Sequence, residues 1–305
     1  MNKGDRLFKF MVIILCVLIM ICGFFAIRST TEETKSVITV ILDDSSSERW
    51  DRLRLGIKHA ASDNNIEVNI VTTNKMTSNE QEELVTRYLQ SSDAFIIDCI
   101  DTSQSDSLIS EMLKHGPVVQ INDSKNSEGA ETTITIDVEQ VGKSLGSEVI
   151  LHNDSLEGKK VGVVSGSTAN VTNEKIKISF ENSILKEGAI IKWESESIES
   201  IDTTDIDILV ICDALELENL PTIENVQVYG IGGSLTDVYK LDTGIITSLI
   251  VVNDYYTGYE AISMLTKKMK NRLKTIEDVT APFYVVNKDN LFSSRNRNLL
   301  FIDRS

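Results

Sequence analysis

From Val37 onward the apolar residues follow two alternating rhythms. Short runs rich in β-branched residues, VITVILD, EVNIVTT, DAFIIDC and PVVQIND, predict strands, since a strand covered on both faces is apolar almost throughout. Between them apolar positions recur every three or four residues. Trp50, Leu53, Ile57, Ala60 and Ala61 form one such helical stripe, and further helices are predicted over SNEQEELVTRYLQSS and from Ser105 to Leu113. The pattern then restarts with TTITID, a helix from Val138 to about His152, KKVGVVSG, a helix around Ile176, Phe180 and Ile184, AIIKWES and DIDILVICDA. VQVYGIGG, a helix near Leu235 to Lys240, GIITSLIVV and a long helix from Asp254 to about Met269 follow. Strands and helices alternating in this way predict an α/β fold with parallel sheets covered on both faces. DAFIIDCID in the first half echoes DIDILVICDA in the second, each a buried run ending in a Cys beside an Asp. Two similar lobes account for the echo better than one very wide sheet.

The N-terminus has a different pattern. Phe10 to Ile27 is 18 residues without a charge, close to the length that crosses a hydrocarbon core. Lys3, Arg6 and Lys9 precede it against Asp5 alone, which places residues 1–9 in the cytoplasm and the remainder outside. Phe24, Phe25 and Ile27 crowd the region where a cleavage site needs small residues. Ile21 before Cys22 and Leu15 before Cys16 match a lipoprotein signal poorly. The expectation is a single-pass cell-membrane protein: one transmembrane signal anchor over 10–27, a polar tether over 28–36, and a large extracytoplasmic domain.

Charge and composition narrow the partners. Without its first 28 residues the chain holds 26 basic and 45 acidic residues, a net of −19. Such a domain repels phosphate backbones, and no basic patch is evident, so nucleic acid is not an expected partner. Two of the four cysteines lie in the apolar N-terminal segment, leaving Cys99 and Cys212 as expected buried free thiols. His59, His115 and His152 fall within or near the ends of predicted helices. The spacings of zinc hydrolases, dithiol redox centres, nucleophile elbows and P-loops are absent from the sequence, so no catalytic residue and no cofactor is expected. Asp43 and Asp44 fall short of the six or more oxygens a hard cation needs, and no metal site is expected. In DDSSSERW, Ser45 and Glu48 have the spacing of a capping box.

Several stretches carry a family resemblance. ILDDSSSERWDRLRLGIKHAA reads as a strand, a polar loop, an aromatic residue and a helix ending Gly-Ile-x-x-Ala-Ala. DAFIIDCIDTSQSDSLISEMLKHGPVVQINDS, TITIDVEQVGKSLG, SLIVVNDYYTGYEAISML and FYVVNKDNL follow in order. Over about residues 37–292 this series resembles the sugar-type extracytoplasmic solute-binding proteins of bacteria, the periplasmic binding proteins of type 1. The resemblance implies two Rossmann-like lobes joined by a three-stranded hinge and closing on a small sugar-like ligand. Lobe one would hold about 37–122 and 250–278, and lobe two about 124–248 and 280–292, with 293–305 a C-terminal tail. It also implies an ABC permease or a sensor histidine kinase as partner.

Loops after the strands would line the cleft. Sugar recognition needs planar hydrogen-bonding groups and an aromatic face, because hydroxyls stripped of water must be satisfied. The candidates are Ser46, Ser47, Trp50, Asp98, Asp101, Asn122 and Asp123 on lobe one, Glu174 and Asp213 on lobe two, and Asn253 at the third crossing. Trp50 is either an aromatic platform or the first residue of a core stripe, and Asp98, Asp101 and Asp213 are ligand groups or ordinary helix caps. The chain departs from the family's pattern in three places. Asn122-Asp123 stands where Asp-Arg is usual, Asn173-Glu174-Lys175 where an Arg is usual, and Gly232 where an Asp usually ends the strand. The alternative is therefore a degenerate binding module, a protein-interaction partner that holds no small molecule.

Overall fold

The computed structural model describes residues 10–21, 35–42, 48–72, 76–100, 105–121, 132–167, 171–270 and 277–301. The chain divides into two compact units, 1–36 and 37–305. In the first, the described residues form one helix, α1 (10–21), with exposed side chains. Its 12 described residues span about 18 Å. Among the described residues no helix is long and apolar enough to cross a membrane. Residues 22–27 of the expected span lie outside them.

The second unit runs β1 (Val37–Leu42), α2 (Glu48–Asn64), β2 (Glu67–Thr72), α3 (Ser78–Tyr88), β3 (Ala94–Ile97), α4 (Ser105–Leu113), β4 (Val118–Ile121) and β5 (Thr132–Ile136). It continues through α5 (Val138–Leu151), β6 (Lys160–Val164), α6 (Val171–Ile184), β7 (Ile190–Ser195), β8 (Ile208–Ile211), α7 (Ala214–Glu218), β9 (Gln227–Ile231) and α8 (Leu235–Thr243). It ends with β10 (Ser248–Val252), α9 (Asp254–Met269), β11 (Val279–Ala281), β12 (Phe283–Asn287) and α10 (Ser294–Leu300). The strands make two six-stranded sheets, in the orders β11-β5-β4-β3-β1-β2 and β12-β10-β9-β8-β6-β7. Neighbours are parallel apart from β12, which runs antiparallel to β10 with Asn287 opposite Ser248.

The central strands of each sheet are buried on both faces, and the period of two sends alternate residues to different cores. Ile38, Val40 and Leu42 of β1 join Ala94 and Ile96 of β3 beneath α2 and α9. Ile41, Phe95 and Ile97 point the other way, toward α3 and α4. In the second lobe Ile208, Val210 and Cys212 pack with Phe180 under α5 and α6, while Leu209 and Ile211 meet α7 and α8. Complete burial of a side chain such as Phe180 contributes about 2–3 kcal/mol. Helices α2 and α9 approach closely at Gly56 and Gly258, where an added Cβ would run into the carbonyls of Tyr255 and Leu53.

The chain passes between sheets at Asp137 after β5, at Asn253 after β10 and at Pro282 between β11 and β12. The expected first crossing at 122–124 is therefore displaced. Thr132–Ile136 adds to β4 in register Val119 to Thr132, so β5 belongs to the first sheet. The expected start of the return at 250 is displaced too, because β10 pairs with β9 in the second sheet. The segment from 293, expected as a tail, carries α10, whose Leu299 and Leu300 bury in the second lobe's core. That burial fixes it.

Candidate functional site: the interlobe cleft

In each sheet the strand order reverses beside the first strand. β1 lies between β2 and β3, and β6 lies between β7 and β8. At such switch points the loops leaving the carboxyl ends diverge to opposite faces and open a crevice. The echo between DAFIIDCID and DIDILVICDA falls here, because β3 and β8 occupy equivalent places.

In lobe two the crevice is built from the ends of β6 and β8 and the start of α6. Asp213 caps the five-residue α7, its Oδ1 accepting from the backbone N–H groups of Leu215 at 2.9 Å and Glu216 at 3.0 Å. Its Oδ2 accepts from Nδ2 of Asn173 at 2.7 Å. Gly166, after β6, lies against this carboxylate, and a Cβ there would stand 2.6 Å from Oδ2. Behind Asp213 the Cys212 thiol is fully buried, and burial pushes its pKa far up. Lys177 bonds Glu194 at 2.6 Å and Glu174 at 3.0 Å. Burial alone would lower its pKa, but these two carboxylates outweigh burial and raise it.

In lobe one the described part of the crevice is the turn after β3. The buried Gln81 of α3 fixes this turn. Its Nε2 donates to the Asp98 carbonyl at 2.7 Å, and its Oε1 accepts from the Ile100 N–H at 3.2 Å. Asp98 and Cys99 are both half-buried.

The lobes meet at Arg52, in the first turns of α2. Its Nη1 donates to the carbonyl of Gly233, after β9 of lobe two. Its Nη2 reaches Oδ2 of Asp254, the first residue of α9, at 3.4 Å. The turn at Gly233 is seated by Asp237, whose Oδ2 accepts from the N–H groups of Gly233 at 2.9 Å and Ser234 at 3.0 Å. Ser234 Oγ accepts in return from the Asp237 N–H at 3.1 Å, completing a capping box on α8. Burial raises the pKa of Asp237.

The sequence-derived candidates divide accordingly. Asp213 and Glu174 both lie on the lobe-two crevice, Asp213 bonded to Asn173 and Glu174 paired with Lys177, and Asp98 lies at the equivalent edge of lobe one. Asn253 sits at the crossing, where its side chain caps α9 by accepting from the Tyr256 N–H at 3.0 Å and its N–H donates to Pro282. Trp50 is 3% exposed and belongs to the core beneath α2, so the platform reading is corrected: its indole fills the lobe rather than the cleft. Ser46, Ser47, Asp101, Asn122 and Asp123 lie outside the described residues, as does the Ser45 capping box. Cys99, expected to be buried, is half-buried. Sequence reasoning did not select Arg52, Asn173, Lys177 or Gln81. Arg52 and Asn173 carried a positional signal, since each follows the carboxyl end of a switch-point strand.

No family model matches the chain, and no curated protein matches it. Solved structures do. A carbohydrate-transporter solute-binding protein from Agrobacterium radiobacter, in complex with D-arabinose, superposes with a TM-score of 0.79 at 16% identity, covering 88% of this chain and 99% of that one. GanP, a glucose-galactose-binding protein from Geobacillus stearothermophilus, gives 0.76 at 16%, covering 85% and 99%. The XylFII-LytSN complex gives 0.73 at 17%, covering 84% and 98%. The chain has the two-lobed fold of the sugar-binding solute-binding proteins. At these identities the likeness concerns the fold.

Proposed function

We propose that the chain is an extracytoplasmic receptor that takes a small sugar-like solute into the interlobe cleft and is anchored to the membrane through residues 10–27. The observation that carries the reading is the juxtaposition at the carboxyl ends of β6 and β8. A half-buried carboxylate, Asp213, and a carboxamide, Asn173, stand side by side at a switch point. A carboxylate accepts from sugar hydroxyls and a carboxamide both donates and accepts, which satisfies paired hydroxyls when water leaves. Structural neighbours of this fold are seen with D-arabinose, or described as binding glucose and galactose. Delivery to an ABC permease and presentation to a sensor histidine kinase both suit an anchored receptor. XylFII, of the same fold, is seen in complex with LytSN. An anchored receptor gains effective concentration at a partner in the same membrane. Catalysis has no part in the reading. Isothermal titration with D-arabinose, D-xylose, D-glucose, D-galactose and D-tagatose tests it. Saturable heat with at least one sugar is expected, and absence of heat with pentoses and hexoses alike would end the small-ligand reading.

One observation favours the second reading, a binding module that works without small molecules. Arg52 of lobe one docks directly on Gly233 of lobe two, beside Gly232, where the resemblance implies an Asp. Native mass spectrometry of the purified protein separates the two readings, since a retained sugar excludes the second.

A further inference from the structure

Arg52 has a geometry that sugar binding does not require. It leaves lobe one with its side chain 11% exposed and spends its two terminal nitrogens on two different partners, the Gly233 carbonyl and Asp254. Asp254 follows the crossing residue Asn253, so the guanidinium sits where the chain passes from one lobe to the other. On the far side the acceptor is preset. Asp237 holds the N–H groups of Gly233 and Ser234, and Gly233 has a φ of +153°, a conformation that L side chains rarely adopt. The turn therefore offers its carbonyl to lobe one without depending on anything in the cleft. A charge-assisted hydrogen bond sheltered from water is among the stronger single ties a protein makes. The open and closed forms of a hinged protein typically differ by only a few kcal/mol. One such tie is enough to choose between them.

We infer that Arg52 is an interlobe latch that holds the lobes together at the hinge in the ligand-free protein. A solute then adds to a closure already favoured. The closed form need not be drawn from a minor population, and entry waits on release of the latch. The consequence for solute exchange rests on the receptor reading, whereas the latch itself rests only on the contacts of Arg52.

The test measures the distance between the lips of the cleft without any sugar. Spin labels carried on unnatural amino acids replace Asp106, at the start of α4 in lobe one, and Leu215, at the start of α7 in lobe two, in the full chain held in nanodiscs. The ligand-free wild type is expected to give one narrow, short distance. Arg52→Ala should raise the ratio of open to closed forms at least about tenfold, as loss of one charge-assisted hydrogen bond implies. Arg52→Lys keeps the charge near Asp254 without the fork and should fall between. Should circular dichroism show Arg52→Ala unfolded, Arg52→Gln is read by the same criterion. A wild type dominated by the long distance, or variants indistinguishable from it, overturns the latch. Failure of the receptor reading shows instead as absent heat in the sugar titrations and leaves these distances unchanged.

Discussion

Asn173 donates its side-chain amide to Asp213 over 2.7 Å, joining the first turn of α6 to the end of β8 across 40 residues of chain. The same carboxylate caps α7, so Asp213 has a structural duty and a proposed ligand duty on different oxygens. The two duties separate by substitution.

Asp213→Asn keeps a side-chain oxygen for the cap and removes the charge. Because the amide nitrogen replaces the oxygen that accepts from Asn173, stability to urea should fall by about 0.5–1.5 kcal/mol, while affinity for a sugar that gives heat with the wild type falls about 10- to 100-fold. Asp213→Ala should in addition lose about 1 kcal/mol through the missing cap. Unchanged affinity in Asp213→Asn would reduce Asp213 to a cap.

Gln81 is buried, and both ends of its amide go to the backbone of the turn after β3. Gln81→Leu roughly preserves volume but removes the hydrogen bonds that Gln81 makes to the Asp98 carbonyl and the Ile100 N–H. An unmet buried backbone group costs about 1–3 kcal/mol, so the urea midpoint should drop accordingly. Hydrogen exchange at Ile100 should quicken, because its amide has lost its acceptor. A protected Ile100 amide in the variant would show that the turn is held by other means.

Trp50 shows where reading the sequence succeeded and where it stopped. The spacing Trp50, Leu53, Ile57, Ala60, Ala61 identified the buried face of α2, and Trp50 is on it. An aromatic residue beside a polar loop looks the same whether it points into a core or a cleft, so the choice lay beyond the local pattern. The same limit displaced the first crossing. TTITID reads as a strand on its own residues, but which sheet it joins depends on pairing with Val118–Ile121, a contact that periodicity does not encode. The seven residues of α10 are too few to show a period. The Arg52 contact lies 181 residues away in sequence, beyond any spacing rule. Trp50→Ala should accordingly destabilise by about 3–5 kcal/mol, as for an aromatic removed from a core, with lost binding following from lost fold. A stable variant with weakened sugar binding would return Trp50 to the cleft.

Glu181, on α6, has its Oε1 buried without a partner among the described residues. Burial, and then the charge of Glu194, push its pKa above the ordinary 4.5, with Lys177 acting in the opposite direction. Between 4.5 and that raised value the folded protein keeps a proton that the unfolded chain has released. The contribution of Glu181 to wild-type stability therefore falls as pH rises through this window. Glu181→Gln has no proton to lose. Its stability relative to wild type should climb with pH through the window and level off above it, whatever other groups titrate in both proteins. Urea midpoints for the pair at about pH 4, 6 and 8 read this directly. A difference that stays constant across the three would show that Glu181 ionises as easily folded as unfolded.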